Sequence, residues 1–186
     1  MNALLIYPAI PDTFWSFKYA LKFIGKRAAF PPLGLLTVAA LLPGQWQKRC
    51  VDLNVARLTD KDIAWADYVF ISAMSVQLHS AEAVIRRCRN SGTPVVAGGP
   101  LFTCQPERFP HVDYLVLNEA ELTVPQFLDD LDRGRLQHIY RTGEFSDLGK
   151  CVSPQWNLID FRHYAELSVQ YSRGCPFNCD FCNVTS

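Results

Sequence analysis

The sequence predicts an α/β domain, a doubly wound, flavodoxin-like (Rossmann-type) parallel sheet of about five strands, followed by a linker and one further strand. Three observations predict it. Short runs rich in Val, Ile and Leu recur up to residue 117, bounded by Pro, Gly, Asn and Asp, as strands buried on both faces require. Helical patterns fall between most of these runs, so successive strands are joined by crossovers and lie parallel. The chain has 186 residues, 49% hydrophobic and 19% charged, enough for one full core and an appendage without disulfide staples.

Taken in order, residues 3–7 form an apolar run ended by Pro8, a buried strand. The long connection that follows carries Phe14, Phe17, Leu21 and Ile24 at helical spacing, with Lys18, Lys22 and Lys26 on another face. Such a helix packs against the protein's own core, or serves as a lid; its basic and aromatic face also suits peripheral contact with an anionic membrane surface. Residues 33–42 read as a helix closed by Pro43-Gly44. Strands follow at 46–53, 68–73, 94–97 and 113–117, with helices at 80–89 and 122–131. From 133 to 166 the pattern weakens around Gly134, Gly143, Gly149 and Pro154, as in a linker with a small hairpin or helix. Residues 167–171 then alternate like a strand and run into Ser172-Arg173-Gly174-Cys175. The expected units are 1–132, 133–166 and 167–186.

Eighteen basic residues balance eighteen acidic ones, so no basic excess supports nucleic acid as the main partner. The uncharged stretch 28–47 is broken by three prolines and two glycines, and its unbroken part, 33–42, is about half of what a bilayer needs. Met1-Asn2-Ala3 lacks a charged leader, so the expectation is a cytoplasmic protein. Seven cysteines, three of them in the last dozen residues, suggest thiolate chemistry in a reducing compartment better than a disulfide framework.

Those three, Cys175, Cys179 and Cys182, stand as C-x-x-x-C-x-x-C on a loop with Gly174 and Pro176. Three thiolates so spaced can hold one face of an iron–sulfur cube and leave one iron open. The same spacing allows a structural zinc site completed by His163 or Cys151, or free thiols. Ligands of doubly wound sheets bind beyond the carboxyl ends of the strands. Three loops lie there: Ser72-Ala73-Met74-Ser75-Val76-Gln77, Gly98-Gly99-Pro100 and Asn118-Glu119-Ala120-Glu121. The glycine pair allows a bulky ligand to approach the backbone closely, and Ser72 and Ser75 offer hydroxyls. Each also has a structural reading: a turn, a core methionine at Met74, or acidic residues favouring a helix N-terminus. Pro8-Ala9-Ile10-Pro11 lacks the acidic pair of a phospho-receiver and the Ser/Thr/Gly-rich turn of a flavin site.

The stretch Gly174-Cys175-Pro176-Phe177-Asn178-Cys179-Asp180-Phe181-Cys182 resembles the radical S-adenosylmethionine motif. The resemblance implies that Cys175, Cys179 and Cys182 ligate a [4Fe–4S] cluster and that Phe181 makes a backbone contact to the nucleoside of S-adenosylmethionine. It also implies that 167–171 is the first strand of a partial (β/α) barrel, the chain then being the N-terminal part of a larger enzyme. Residues 1–132 resemble the cobalamin (B12)-binding domain of B12-dependent radical enzymes through Pro32-Leu33-Gly34-Leu35, Gly98-Gly99-Pro100, and Asn118-Glu119-Ala120-Glu121 in place of the usual Gly-Glu-Gly-Glu. The wording from Pro11-Asp12-Thr13-Phe14-Trp15 to Phe30-Pro31-Pro32 is similar to the subgroup that contains hopanoid C-2 methylases.

What this implies is a cobalamin contact set of Ser72, Met74, Ser75, Gly98, Gly99, Pro100, Asn118, Glu119 and Ala120. No D-x-H-x-x-G is present, and His79, His111, His138 and His163 all lie outside such a context, so no histidine is expected on cobalt. The implied reaction methylates an unactivated carbon of a small-molecule or lipid-like substrate, using methylcobalamin, a 5′-deoxyadenosyl radical and an external electron donor. This chain alone is expected to be inactive, and no catalytic residue is assigned within it. The competing readings are a corrinoid-binding module without activity of its own and a zinc-stabilised α/β interaction domain.

Overall fold

The structure, a computed structural model, describes residues 1–13, 16–175, 177 and 179. Phe14, Phe181 and Cys182 therefore lie outside the described residues. The five expected strands form, with ends shifted by no more than one residue: β1 (Asn2–Tyr7), β2 (Gln47–Asp52), β3 (Tyr68–Ser72), β4 (Val95–Gly98) and β5 (Tyr114–Val116). A sixth, β6 (Ile139–Tyr140), comes from the segment read as linker. All pairs are parallel, in the order β2-β1-β3-β4-β5-β6. The helices are α1 (Lys18–Phe23), α2 (Leu33–Leu41), α3 (Asp60–Trp65), α4 (Leu78–Asn90), α5 (Pro100–Cys104) and α6 (Ala120–Asp132).

The sheet is apolar on both faces because both are covered. Ala3, Leu5, Phe70, Val96 and Val116 turn toward α2 and α6, whereas Leu4, Ile6, Val69, Ile71, Val95, Ala97 and Leu115 turn toward α3, α4 and α5. On α4 the buried residues Ala81, Val84, Ile85 and Cys88 keep the three- and four-residue spacing of a single helical face. α2 is apolar nearly all round for a different reason. One flank meets the sheet through Leu35 and Ala39, and residues 154–158 cover another, where the Gln155 N–H donates to the Leu36 carbonyl at 3.0 Å.

A two-residue strand has little ladder to hold it, and β6 is secured by a carboxylate instead. Asp130, on α6 and nearly buried, accepts from Arg135 at 2.7 Å, Gln137 at 3.0 Å and the Tyr140 hydroxyl at 3.3 Å. Because α6 packs on the face of α2, the β5–α6–β6 crossover has the opposite hand from β3–α4–β4, and is the rare left-handed type.

Two expectations need correction. Residues 167–171 make no ladder, because a strand exists only by pairing and no described strand flanks them. The amphipathic pattern after β1 gives only the six residues of α1; of its described stripe, Leu21 is buried while Phe17 and Ile24 are exposed. Among the described residues no helix is long and apolar enough to cross a membrane.

The chain after β6 returns to the far edge of the sheet. There Ala28 pairs with Tyr164, whose buried hydroxyl donates to Asp52 at 3.0 Å. Asp52 also accepts from the Asn54 backbone at 2.8 Å and its amide side chain at 2.6 Å. Burial raises the Asp52 carboxyl above its ordinary range more than these bonds lower it. A raised carboxyl favours the protonated native state, so its stabilising contribution is complete below about pH 4 and is lost as pH rises through the raised value. In urea unfolding followed by circular dichroism, the stability of the parent relative to Asp52→Asn should fall across that window; a difference that grows with pH would contradict the burial argument.

Candidate functional site

β3, β4 and β5 end side by side, and the chain leaves them through the three loops singled out above. A cavity of about 650 Å³ opens there, between the first turns of α2 and α6. Its body is apolar, formed by Leu33, Leu35 and Val38 of α2, Phe70, Val96 and Val116 of the sheet, and Val124 of α6. Its rim carries Ser72, Gly98, Gly99, Asn118 and Glu119, and residues 168–173 form its outer wall. An apolar body with a few convergent polar groups is the usual make-up of a small-molecule site.

The two rim glycines are demanded by the backbone. A Cβ on Gly98 would lie 2.5 Å from the Val116 carbonyl oxygen of the neighbouring strand. Gly99, at φ 86° and ψ 179°, occupies a conformation essentially confined to glycine, and a Cβ there would lie 2.7 Å from Ser72 Oγ. The expectation that the pair clears space for a ligand is therefore incomplete, since the protein needs both before any ligand arrives. Gly34 differs: it lines the cavity, and a Cβ added to it meets nothing within 4 Å.

Asn118 stands where the resemblance expects glycine, at φ 65°. Asparagine is among the residues that best tolerate this left-handed region. Its backbone N–H donates to Thr103 Oγ1 at 3.2 Å. Ala120, the other departure, begins α6 at a helical position where a methyl group is at ease.

Glu119 and Glu121 converge on Arg173. Its guanidinium bonds Glu119, meets Glu121 at 2.5 and 3.1 Å and Ser146 Oγ at 2.8 Å, and its Nε donates to Gln170 at 3.2 Å. Ser146 in turn donates to Glu119 at 2.6 Å. The three charged side chains are only 22%, 17% and 12% exposed for Arg173, Glu119 and Glu121. Burial pushes the Glu121 carboxyl up, but the bonds from Arg173 outweigh it and hold it below its ordinary range. Bonding to Glu121 raises the guanidinium further.

Of the expected contact residues, Ser72, Gly98, Gly99, Pro100, Asn118, Glu119 and Ala120 line the cavity. Met74 and Ser75 do not; both are exposed at the turn Ser75–Gln77, where the Met74 N–H donates to Gln77 Oε1 at 2.8 Å. Cys175 and Cys179 are exposed, and neither is in a disulfide among the described residues. Cys182 and Phe181 fall outside the described residues. Of the fourth ligands considered for zinc, Cys151 is 3.5 Å from Glu121, and His163 is 3.9 Å from Asp160. Sequence reasoning missed the α2 wall and Arg173. The signals available were Pro32-Leu33-Gly34-Leu35, which opens the helix that forms this wall, and two acidic residues at 119 and 121, which call for a cation.

A cavity at the carboxyl edge of an open parallel sheet, apolar within and polar at its rim, defines a cofactor-binding α/β domain. The chain belongs to the B12-binding domain family: the family pattern described as B12 binding domain matches residues 27–128, over half of the chain. It is 41% identical over 99% of its length to an uncharacterised methyltransferase of Synechocystis sp., and 34% identical over 97% to the hopanoid C-2 methylase of Rhodopseudomonas palustris. In each case it spans 35% of the relative, about a third of the length. Among solved structures, the radical S-adenosylmethionine methyltransferase TsrM of Kitasatospora setae aligns at TM-score 0.48 and 16% identity, covering 72% of this chain and 26% of that one.

Replacing Gly99 by Ala should cost about 1–3 kcal/mol of stability with or without a ligand, from the forced backbone conformation and the contact with Ser72. Urea midpoints of the two proteins measure this, and an unchanged midpoint would mean that the Gly99 turn is freer than drawn.

Proposed function

We propose that this chain supplies the cobalamin-binding domain and the cluster-binding cysteines of a radical S-adenosylmethionine methyltransferase. The substrate would be a small molecule or lipid, methylated at an unactivated carbon, in keeping with the name of the hopanoid methylase relative. One observation carries the reading: the residues leading into the cysteine motif form a wall of the cavity at the sheet edge. On this reading the two cofactor sites that such an enzyme must bring together adjoin in a single piece of chain.

The residues fit the nucleotide tail of cobalamin. Leu33, Leu35, Val38, Phe70 and Val96 offer an aromatic bicycle an apolar slot, and about 650 Å³ accommodates it with its ribose. Among the described residues the Ser72 hydroxyl and the Asn118 side chain make no hydrogen bond, so both are available to a sugar or phosphate at the rim. The Glu119 carboxylate is not, being bound to Arg173 and Ser146. None of the four histidines lines the cavity. Cys175, Cys179 and Cys182 would hold the cluster. When bound, the corrin would supply a methyl carrier and the cluster the electron that cleaves S-adenosylmethionine. The chain's own part is positioning: its apolar walls keep water from the tail, and its edge loops fix the tail's depth.

Gly34→Trp tests the slot. The substitution removes a helix glycine, starts in open space and fills the cavity, so the protein should fold as before. Hydroxocobalamin binding, followed by absorbance in equilibrium dialysis, should weaken tenfold or more. Undiminished binding by a folded Gly34→Trp protein would place the tail elsewhere.

A further inference from the structure

Arg173 is two residues from Cys175, and the intervening chain spans at most about 7 Å. Its guanidinium is bound by Glu119 and Glu121, which line the cavity from the α6 side, while residues 168–173 line it from outside. Little else holds that outer wall. Its residues make no ladder, and Val169 and Tyr171 are 90% and 96% exposed. Among the described residues each of the two glutamates pairs with Arg173 and with no other cation. Without the arginine, two largely buried carboxylates would face each other at the mouth of an apolar cavity.

We propose that Arg173 is a positioning residue, a clasp that makes residues 168–173 a removable wall of the cofactor cavity and thereby couples the filling of the cavity to the placement of the cysteine motif. The proposal rests on the cobalamin reading above. A ligand in the cavity touches the wall as well as the sheet, so it favours the closed wall. By linkage the closed wall favours the ligand by the same factor. The planar fork of arginine serves both carboxylates at once; a lysine ammonium is a point charge that cannot.

The test uses the 186-residue chain, its Arg173→Ala and Arg173→Lys variants, and Glu119→Gln/Glu121→Gln. Chymotrypsin cleavage after Tyr171 reports the wall, because a protease needs the chain free on both sides of the bond. Without ligand, cleavage should be at least tenfold faster in all three variants, at an unchanged urea midpoint, because the opened wall returns the side chains of positions 119 and 121 to water. Saturating hydroxocobalamin should slow cleavage of the parent fivefold or more. The variants should bind hydroxocobalamin five- to tenfold more weakly and lose that protection, Arg173→Lys included. Variants that are cleaved and bind like the parent would overturn the proposal, as would faster cleavage that merely follows a lowered midpoint. If the parent binds no hydroxocobalamin, the cobalamin reading falls and the coupling with it. Tight binding by the parent with equal binding by Arg173→Ala would overturn the coupling alone.

Discussion

The candidate site depends on a place where no side chain fits. At the ends of β3, β4 and β5 the backbone of Gly98 lies against the Val116 carbonyl, and Gly99 against Ser72 and Ala73. The closeness brings the three strand ends level, with the Leu101 N–H donating to the Ala73 carbonyl at 2.9 Å across the junction. The backbone of Gly99 then turns the chain into α5, whose Leu101 and Phe102 pack with α3 and α4 on the opposite face. Had α5 stayed on the side of α2 and α6, it would have occupied the slot. The glycine pair thus sets where the rim lies and which face stays open behind it.

The open face is a matter of handedness. Three helices cover one side of the sheet and two the other, because α6 crosses back on the side of α2. A right-handed β5–α6–β6 unit would have put α6 with α3, α4 and α5, leaving α2 alone over a six-stranded sheet. Instead Ala39 and Phe127 share one packed cluster deeper along the sheet, and the helices part only at their first turns. Phe127 anchors this arrangement, with ring centroids 6.3 Å from Phe70 and 5.6 Å from both Tyr114 and Tyr140. The Asp130 network then makes the unusual return hold with a strand of only two residues.

Much of the fold was legible because its strongest determinants are local. The five apolar runs and the 3.6-residue pattern of α4 write burial directly into sequence, and Gly98-Gly99 announced a close approach. β6 was not legible. Ile139–Tyr140 is too short to show a period, and what holds it is a side chain ten residues back, Asp130, and the free edge of β5, farther still. Residues 167–171 failed the other way: alternation fits a strand, but a strand also needs a neighbour. At the site, Ser72, Gly98 and Asn118 could be placed by the rule that ligands sit at strand ends, whereas Met74 and Ser75 belong to a turn capped by Gln77. Arg173 could not be placed, because nothing local relates it to glutamates more than fifty residues earlier.

That long-range contact is better understood as a device for position than for stability. Removing two carboxylates and a guanidinium from water is costly, and apolar residues of similar volume often serve a core as well. What apolar residues cannot do is choose one geometry among several. The arginine fork has one orientation that satisfies Glu119, Glu121 and Ser146 together, and a wall without a ladder has no other means of fixing its register. Each glutamate alone would leave the guanidinium free to swing about a single bond pair. Two of them, two residues apart in the first turn of α6, bind it from different directions. The domain therefore gives up free energy of burial at its rim to decide where Cys175 stands.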